Sequence, residues 1–534
     1  MRFSGKLPLE AIFTYFCTRC QPFDRSTMRI PSSHRSSAWF FALLVLFLTG
    51  CALHYARGLY FFTPDRNFQY QGVDDAYITY RYGWNWVHFG TLSWNESGFR
   101  RTEGFTNPLW VFLSALWAFS GEKDWLYPGV TLTSSLLTGG LLILLAQKIS
   151  SERGNLPAIS GLFLSAASPA LWLHSTSGLE SGVFGALLGT LAYSSLSEEA
   201  RQPPAWQLGG FAGLVVWLRS DGFVYLLVIV GALLLTRNPA WKKVLSGLLL
   251  SLTLLYIWRL WNFGSLLPNT AVAKLNFGLA ERLLPGLLAF LQTLPATFPF
   301  LLIGLFGLHE QPGSQRLAAL FILGGWLAYY IYIGGDFFVE RHLLGVIILS
   351  AALAAPFFEK IALQSAWKFA LMLCLLVATI WLALWPDARF SYTHPKPQDP
   401  WILLGKEMAR QREQYGTVVT FPAGKIPFFA GGNFIDELGL NDPYLATLRR
   451  ERFIPGHAAG SHAEAIRLAK ESATTYSIFA FSFEITTENI NDVVLWVENT
   501  NPQSGVFHQP NEQQRRLLLA NTDPFAHTLI LQGR

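Results

Sequence analysis

The sequence is short of charge. Asp, Glu, Lys and Arg make up 14% of its 534 residues, whereas roughly a quarter is usual for soluble globular chains. Cysteine is equally scarce, and none of the 4 cysteines falls in a segment predicted to lie on the outer, extracytoplasmic side, which excludes a disulfide framework there. Lys and Arg are spread through loops instead of forming a basic cluster, so nucleic acid is not an expected partner. The chain also has no internal repeat and no low-complexity segment.

The polar N-terminal stretch offers no site of its own. It contains Cys17 and Cys20, but a redox or metal site would need a second such pair or a thioredoxin-like sequence around it, and neither is present. Met28 is an alternative start, in which case the residues before it would not belong to the protein. We therefore expect no chemistry in this stretch.

Long apolar runs dominate the first 385 residues, and the mean hydropathy is +0.30. A helix needs roughly 20 apolar residues to cross a bilayer, and the runs predict about eleven spans. They cover residues 38–59, 130–146, 158–173, 182–196, 206–218, 223–235, 244–261, 283–308, 317–333, 343–358 and 369–385. The shorter run 108–120 follows Asn107, a predicted helix cap, and begins with proline at the first helical position. It predicts a helix at the membrane interface.

The cations of the short loops predict the orientation, because Lys and Arg are retained on the cytoplasmic side. A cytoplasmic N-terminus places inside the loops that hold Lys148 with Arg153, Arg201, Arg237 with Lys242 and Lys243, Arg316, and Lys360 with Lys368. With this orientation, nearly all the other ionisable residues that lie close to the membrane fall in the outer loops. Any chemistry is therefore expected on the outer face.

The predicted fold is an α-helical polytopic membrane protein with a C-terminal α/β domain outside the membrane. Residues 1–37 form a cytoplasmic tail. Residues 38–385 form the transmembrane domain, whose first outer loop spans about 60–129. Residues 386–534 alternate strand-like runs with polar helical stretches and turns, which indicates a soluble extracytoplasmic (periplasmic) domain.

Two adjacent carboxylates follow the first span. Consecutive helical residues point about 100° apart, so Asp74 and Asp75 are not expected to share one target. One of them is free to cap the helix, and the other to face a cavity and accept a proton from a hydroxyl. The residues themselves do not say which is which.

These carboxylates begin an ordered set of motifs. The motifs are VDDAYITYR at 73–81, GTLSWN at 90–95, RTEGFTNPLW at 101–110, SGLE at 177–180, LRSDG at 218–222, GSLLPNT at 264–270 with Lys274, GGDF at 334–337 with Arg341, IDELGLNDP at 435–443 and PGH at 455–457. The set resembles the polyprenyl-phosphate-dependent glycosyltransferases of the GT-C class, in the branch related to terminal arabinofuranosyltransferases of cell-wall arabinan. Thr79 departs from a common serine of that pattern, and Ser220 and Val339 depart from prolines.

The resemblance implies a role for each candidate residue. It favours Asp74 as the base, with Asp75 positioning the loop or sharing a metal. Arginine suits bidentate phosphate contacts and lysine acts as a point charge, so the donor phosphate is expected at Arg219, Lys274 and Arg341. The residues expected to bind sugar or acceptor, or to organise those cations, are Arg81, Glu103, Glu180, Asp221, Asn269, Asp336 and His457.

The implied reaction is transfer of a sugar, with D-arabinofuranose as the nearest choice, from a polyprenyl-phosphate donor. The acceptor stays open between a cell-surface glycan and an exported protein such as pilin. No cofactor is expected; some GT-C enzymes use a divalent cation, but these carboxylates lack dense ligand spacing. The alternatives are a transporter or flippase of lipid-linked sugars, a non-catalytic glycan-binding protein and a hydrolase. Transporters usually place charge at mid-membrane and show inverted repeats, and this chain has neither pattern.

Overall fold

A computed structural model describes residues 32–57, 59–61, 68–96, 99–274, 277–384, 399–410, 412, 416–454, 457–472, 476–479, 493–498 and 505–508. Cys17, Cys20 and Met28 lie outside these residues, as does the predicted domain boundary at 385/386. The described helices are α1 (Ser32–Arg57), α2 (Asp74–Phe89), α3 (Pro108–Ala118), α4 (Leu126–Arg153), α5 (Asn155–Ala166), α6 (Pro169–Thr176), α7 (Ser181–Leu196), α8 (Ala205–Leu218), α9 (Gly222–Leu235), α10 (Ala240–Phe263), α11 (Asn269–Lys274), α12 (Leu279–His309), α13 (Gly313–Tyr332), α14 (Leu344–Leu353), α15 (Ala355–Gln364), α16 (Ala366–Leu384), α17 (Pro400–Arg410), α18 (Lys425–Ala430) and α19 (His462–Ser472).

Every predicted span coincides with a described helix or with helices in direct succession. By length and composition, five described segments are able to cross a membrane, and a sixth if α5 and α6 form one span bent by 62°. The bend follows from Pro169, which lacks an amide hydrogen and begins a new helix. Helices α7, α8 and α9 are apolar but have only 16, 14 and 14 residues. The count of eleven spans therefore stays a prediction.

Several contacts join predicted inner loops with one another and predicted outer loops with one another. At one end, Arg153 donates to Gln311 Oε1 at 2.8 Å and Lys360 pairs with Glu310 at 2.9 Å. These contacts join loops that were all predicted to lie on the inner side. The loops predicted to lie outside meet at the other end, where Glu180 contacts Arg341. Which end faces the cytoplasm remains a prediction.

The C-terminal part contains a mixed sheet. The described strands of the chain are β1 (Leu59–Phe61), β2 (Phe68–Tyr70), β3 (Thr417–Thr420), β4 (Phe434–Asp436), β5 (Arg449–Ile454), β6 (His457–Ala459), β7 (Tyr476–Phe479), β8 (Val493–Glu498) and β9 (Gly505–His508). The strands of the mixed sheet stand in the order β4-β3-β7-β8-β9, parallel except for the antiparallel β8–β9 pair. The interior strand β3 reads Thr-Val-Val-Thr and is buried throughout, as expected of a strand covered on both faces.

The C-terminal part packs directly on the helical bundle. Helix α18 lies against α2, and one buried apolar cluster contains residues of both parts, including Ile78 and Tyr82 of α2 with Ile426 and Phe434. This cluster fixes the C-terminal part over the end of the bundle where the predicted outer loops meet. The predicted bounds of the three domains are not tested by this packing and stay predictions.

Candidate functional site

Two adjacent cavities lie at that end of the bundle. The small cavity has a volume of about 60 Å³ and polar walls that include Asp75, Asp336 and Arg341. The large cavity has a volume of about 390 Å³ and mainly apolar walls. The residues common to both linings are Thr106, Thr270, Lys274 and Asp336. We call these four residues the shared wall.

Asp75 and Lys274 are the uncommitted ionic groups of the small cavity. Within the described part of the chain, no residue lies at hydrogen-bonding or ion-pairing distance from either of them. Burial raises the pKa of Asp75, although Arg341 and Lys274 oppose that shift. Desolvation by the surrounding protein lowers the pKa of Lys274, against the attraction of Asp336, although part of the side chain is exposed. A carboxylate and an amine thus line the same cavity without forming a salt bridge.

Glu180 is the buried centre of the cationic wall. Its carboxylate is 0% exposed and accepts hydrogen bonds from Arg219 at 3.2 Å, Arg341 at 3.0 Å and Asn107 at 2.7 Å. The two guanidinium groups hold the pKa of Glu180 below its usual range. Asn107 precedes α3, as predicted, but its side chain makes no capping bond there because it is engaged with Glu180. Glu180 therefore organises cations, and it is not among the residues that line either cavity.

Arg219 is more fully neutralised than expected of a phosphate ligand. Its Nε and Nη2 donate to the two carboxylate oxygens of Asp221 at 3.0 and 3.1 Å, in addition to the bond with Glu180. Arg219 in turn holds the pKa of Asp221 well below its usual range. In this predicted outer turn, Arg219 thus belongs to an ion-pair network with Asp221 and Glu180 and is not a free cation.

His342 connects this network to the shared wall, and the sequence did not single it out. Its Nε2 lies 3.1 Å from Asp336 Oδ2 and 3.2 Å from Arg219 Nη2, and its Nδ1 lies 2.9 Å from the Tyr225 hydroxyl. The available indication was its position directly after Arg341 in a motif already chosen. The partner Tyr225 lies within an apolar helix, where no motif marks it.

Glu103 has a structural partner. Its carboxylate forms a bidentate pair with Arg259, with distances between 2.9 and 3.1 Å, and Arg259 also donates to Ser220 Oγ. Both members of the pair are buried. Sequence reasoning missed Arg259 because it lies inside an apolar run predicted to span the membrane. Glu103 is therefore occupied, contrary to its expected role toward sugar or acceptor.

Asp74 faces away from both cavities. Its side chain is 7% exposed and accepts hydrogen bonds from the backbone N–H groups of Gly424 at 2.9 Å and Lys425 at 2.7 Å. A Cβ atom on residue 424 would overlap the Asp74 carbonyl oxygen, so glycine is required there. Neither carboxylate caps α2, whose preceding residue Val73 makes no side-chain cap. The geometry is the reverse of the expected division of labour between Asp74 and Asp75.

Arg81 and Asn269 also bind the C-terminal part. Arg81, 2% exposed, donates to the carbonyl groups of Trp94, Pro427 and Gly432. The Asn269 amide donates to the carbonyl oxygens of Gly439, Leu440 and Asp442 at 2.6 to 3.0 Å. Their expected roles toward substrate are replaced by contacts that hold this part in place.

His457 completes the predicted set, and Asn95 belongs to the GTLSWN motif. Asn95 is buried and exchanges two hydrogen bonds with the backbone of Phe434 at 2.8 and 2.9 Å, so it helps to hold the C-terminal part. His457 begins β6, where its backbone pairs with Ile454. Its side chain lies outside what the structure describes, and its expected role stays a prediction.

A metal ion does not fit the donor set of the site. Within the described residues, no three His, Cys, Asp or Glu side chains are grouped as ligands. The carboxylates around the cavities are instead matched with guanidinium, imidazole or backbone N–H groups, apart from Asp75. We therefore derive no step through a metal.

Comparison with solved structures identifies a related architecture. The archaeal oligosaccharyltransferase AglB from Archaeoglobus fulgidus, in complex with an inhibitory peptide and a dolichol-phosphate, superposes with a TM-score of 0.51 and 12% identity, covering 89% of this chain and 74% of that chain. The likeness is one of fold. AglB has the GT-C fold, which agrees with the predicted class; the arabinofuranosyltransferase branch is not confirmed.

A second structure of the same enzyme, tethered to an acceptor peptide containing the NVT sequon, has a TM-score of 0.48 and 13% identity and covers 89% of this chain and 75% of that chain. No family model matches the sequence, and no curated protein matches it. The apolar helices and this fold describe a multi-pass membrane protein.

Proposed function

We propose that the protein is a membrane glycosyltransferase that moves one sugar from a polyprenyl-phosphate donor to an acceptor hydroxyl. The observation that carries this proposal is the presence of both Asp75 and Lys274 in the lining of a small polar cavity that shares a wall with a large apolar one. A polar chamber suits a sugar, and an apolar cavity suits the first isoprene units of its carrier. The fold likeness to an oligosaccharyltransferase supports the same reading.

The residues divide the reaction between them. The acceptor hydroxyl oxygen forms a bond to the anomeric carbon while the bond from that carbon to the phosphate oxygen breaks. The hydroxyl proton goes to Asp75, which acts as the base. Burial raises the pKa of Asp75 toward neutral pH, where a general base works best. The lipid leaves as a polyprenyl monophosphate, and Lys274 stabilises the negative charge that develops on it. Arg341, whose Nε has no hydrogen-bond partner among the described residues, assists Lys274.

We propose D-arabinofuranose as the sugar and a cell-surface glycan or an exported protein such as pilin as the acceptor. The motif resemblance supports the sugar. The reaction would take place at the outer face of the bacterial inner membrane, with the N-terminus in the cytoplasm. Leu440 of the C-terminal part lines the small cavity, which supports a role for that part in contacting the acceptor.

The test is sugar transfer by the purified protein. Polyprenyl-phosphoryl arabinofuranose carrying a radiolabel is supplied with envelope acceptors, and the wild type is compared with Lys274→Met, which keeps the length of the side chain and removes the charge. We expect transfer by the wild type and a loss of at least about 100-fold in kcat for the variant, since one charge-stabilising donor contributes about that much. The variant's folding is checked by its thermal unfolding.

Each other outcome has a definite meaning. Transfer from a different polyprenyl-phosphate sugar would replace the proposed arabinose. Movement of the labelled lipid across a vesicle membrane without transfer would favour the flippase. Failure of every such donor with envelope acceptors present would refute the glycosyltransferase.

A further inference from the structure

A buried arginine on the large cavity has no acidic partner. Arg282 lies in the first turn of α12 and is 8% exposed. Its guanidinium carbon lies 4.9 Å from the centre of the Tyr332 ring, and its Nε lies 3.5 Å from the Gly278 carbonyl oxygen. No Asp or Glu of the described residues forms an ion pair with it. The charge of Arg282 is therefore not neutralised by this part of the protein.

Two of the other three cations that line the large cavity are in direct ion pairs, Arg219 with Asp221 and Arg259 with Glu103. The third, Lys274, forms no ion pair but is attracted by Asp336 of the shared wall and lines both cavities. Arg282 is therefore the cation that lines the large cavity alone and has no ion pair among the described residues.

A buried, uncompensated cation is costly unless an anion accompanies it. An arginine that merely anchors a helix at the headgroup layer extends its charged end into water or lipid, whereas protein covers Arg282. The wall around it is mostly apolar, with Leu252, Leu267 and Ile333 among its members. The complementary ligand is consequently an amphiphile with a single negative charge and a hydrocarbon tail.

We propose that Arg282 binds the phosphate of a singly charged isoprenoid phosphodiester as that lipid enters the large cavity. This inference rests on the proposed function and names a residue and a charge state for its donor. Leu267 and Tyr332 are 48% and 46% exposed and form the rim through which the tail would enter. Arg282 lines the large cavity only, while Lys274 lines both. Arg282 therefore acts on donor binding, and Lys274 acts on the bond that breaks.

The experiment measures binding, so that it does not depend on the transfer reaction. The probes are farnesyl methyl phosphate, a singly charged phosphodiester, and farnesol, which has the same tail without charge. Both are titrated against the full-length wild type, Arg282→Gln and Arg237→Gln. The exposed Arg237 lies just after the C-terminal end of α9, whose N-terminal end lines the large cavity. Arg237→Gln therefore removes one positive charge away from the cavity and is the matched control.

We expect the wild type and Arg237→Gln to bind the phosphodiester at least tenfold more tightly than farnesol. Arg282→Gln should lose that tenfold preference while its farnesol affinity stays unchanged. In the transfer assay it should raise the donor KM more than it lowers kcat. Arg282→Lys keeps the charge without the planar guanidinium group, so its preference for the phosphodiester should fall between those of the wild type and Arg282→Gln. This variant also tests the site if Arg282→Gln fails to fold.

The outcomes separate this inference from the proposed function. If the wild type shows no preference for the phosphodiester, the proposed donor class is refuted together with the inference. If the wild type shows the preference and both Arg282 variants retain it, only the role of Arg282 is refuted. If phosphatidylglycerol displaces farnesyl methyl phosphate at equal concentration, Arg282 belongs to an ordinary lipid headgroup site, and the inference is likewise overturned.

Discussion

The two carboxylates that open α2 are neighbours in the sequence and have opposite surroundings. Asp74 is bonded to two backbone N–H groups of the C-terminal part, whereas Asp75 faces a cavity without a hydrogen-bond partner among the described residues. The same contrast separates Arg81, which contacts three carbonyl groups, from Lys274, which contacts none. Of these four residues, the two with partners hold the C-terminal part, and the two without partners among the described residues line the small cavity, where we propose the chemistry.

The largest effect is expected for Asp75, the carboxylate that faces the cavity. Asp75→Asn should reduce kcat by about 100- to 10,000-fold, the usual contribution of a general base, with little change in the unfolding temperature. Because burial raises the pKa of Asp75, the acidic limb of the wild-type pH–rate profile should lie above the usual range of an aspartate. Steady-state transfer kinetics between pH 4 and 8 measure both effects.

Asp74→Asn is the matched control for that measurement, since it changes the adjacent residue in the same way. It should lose less than tenfold in kcat. If the two folded variants lose kcat equally, the distinction between Asp74 and Asp75 fails. A greater loss of kcat for Asp74→Asn would restore Asp74 as the base.

The order of elements was largely readable from the sequence, whereas the partners of the charged residues were not. The apolar runs at 130–146 and 244–261 fall inside α4 and α10 because helical spans require such runs. The motifs also named Lys274, Asp336 and Arg341, which the structure brings to one cavity. Their common feature is a position in loops that the charge pattern predicts to lie on the outer side.

The sequence could not decide which charges were already neutralised. Arg259 lies within an apolar run, so nothing in the pattern showed that it pairs with Glu103. The partners of Asp74 and Asn269 are backbone groups more than 150 residues away, and backbone groups leave no trace in side-chain chemistry. A motif therefore identified residues that matter without separating those that hold the fold from those that face substrate.

The second-largest effect is a loss of stability, expected when a residue that holds the C-terminal part is replaced. Arg81→Met should lower the free energy of unfolding by about 1–3 kcal/mol, the cost of a buried acceptor left unsatisfied. The variant removes the donor to the Gly432 carbonyl, whereas the Trp94 and Pro427 carbonyls keep hydrogen bonds from Asn85 and from the Gly431 N–H group. Thermal unfolding in detergent measures the change, and Arg101→Met, at an exposed position, is the control. A shift no larger than that of the control would show that Arg81 does not hold the C-terminal part.

The smallest effect is a pH dependence of stability contributed by Asp74. Burial raises the pKa of Asp74 to about 7, above the value of about 3.9 in an unfolded chain. The folded protein then binds the proton more tightly than the unfolded chain, so the stability contribution is complete below about pH 4 and is lost as the pH rises through 7. The wild-type unfolding temperature should fall between pH 5 and pH 8.

Asp74→Asn should make that fall shallower without abolishing it, because burial also raises the pKa of Glu103 and of Asp436 to about 7 and both remain in the variant. Asp124→Asn removes a carboxylate at the exposed end of a salt bridge and should leave the slope as in the wild type. Equal slopes for Asp74→Asn and the wild type would mean that Asp74 has the same proton affinity in both states. Its surroundings would then resemble those of a solvated carboxylate, and the contrast between the two neighbouring residues would rest on activity alone.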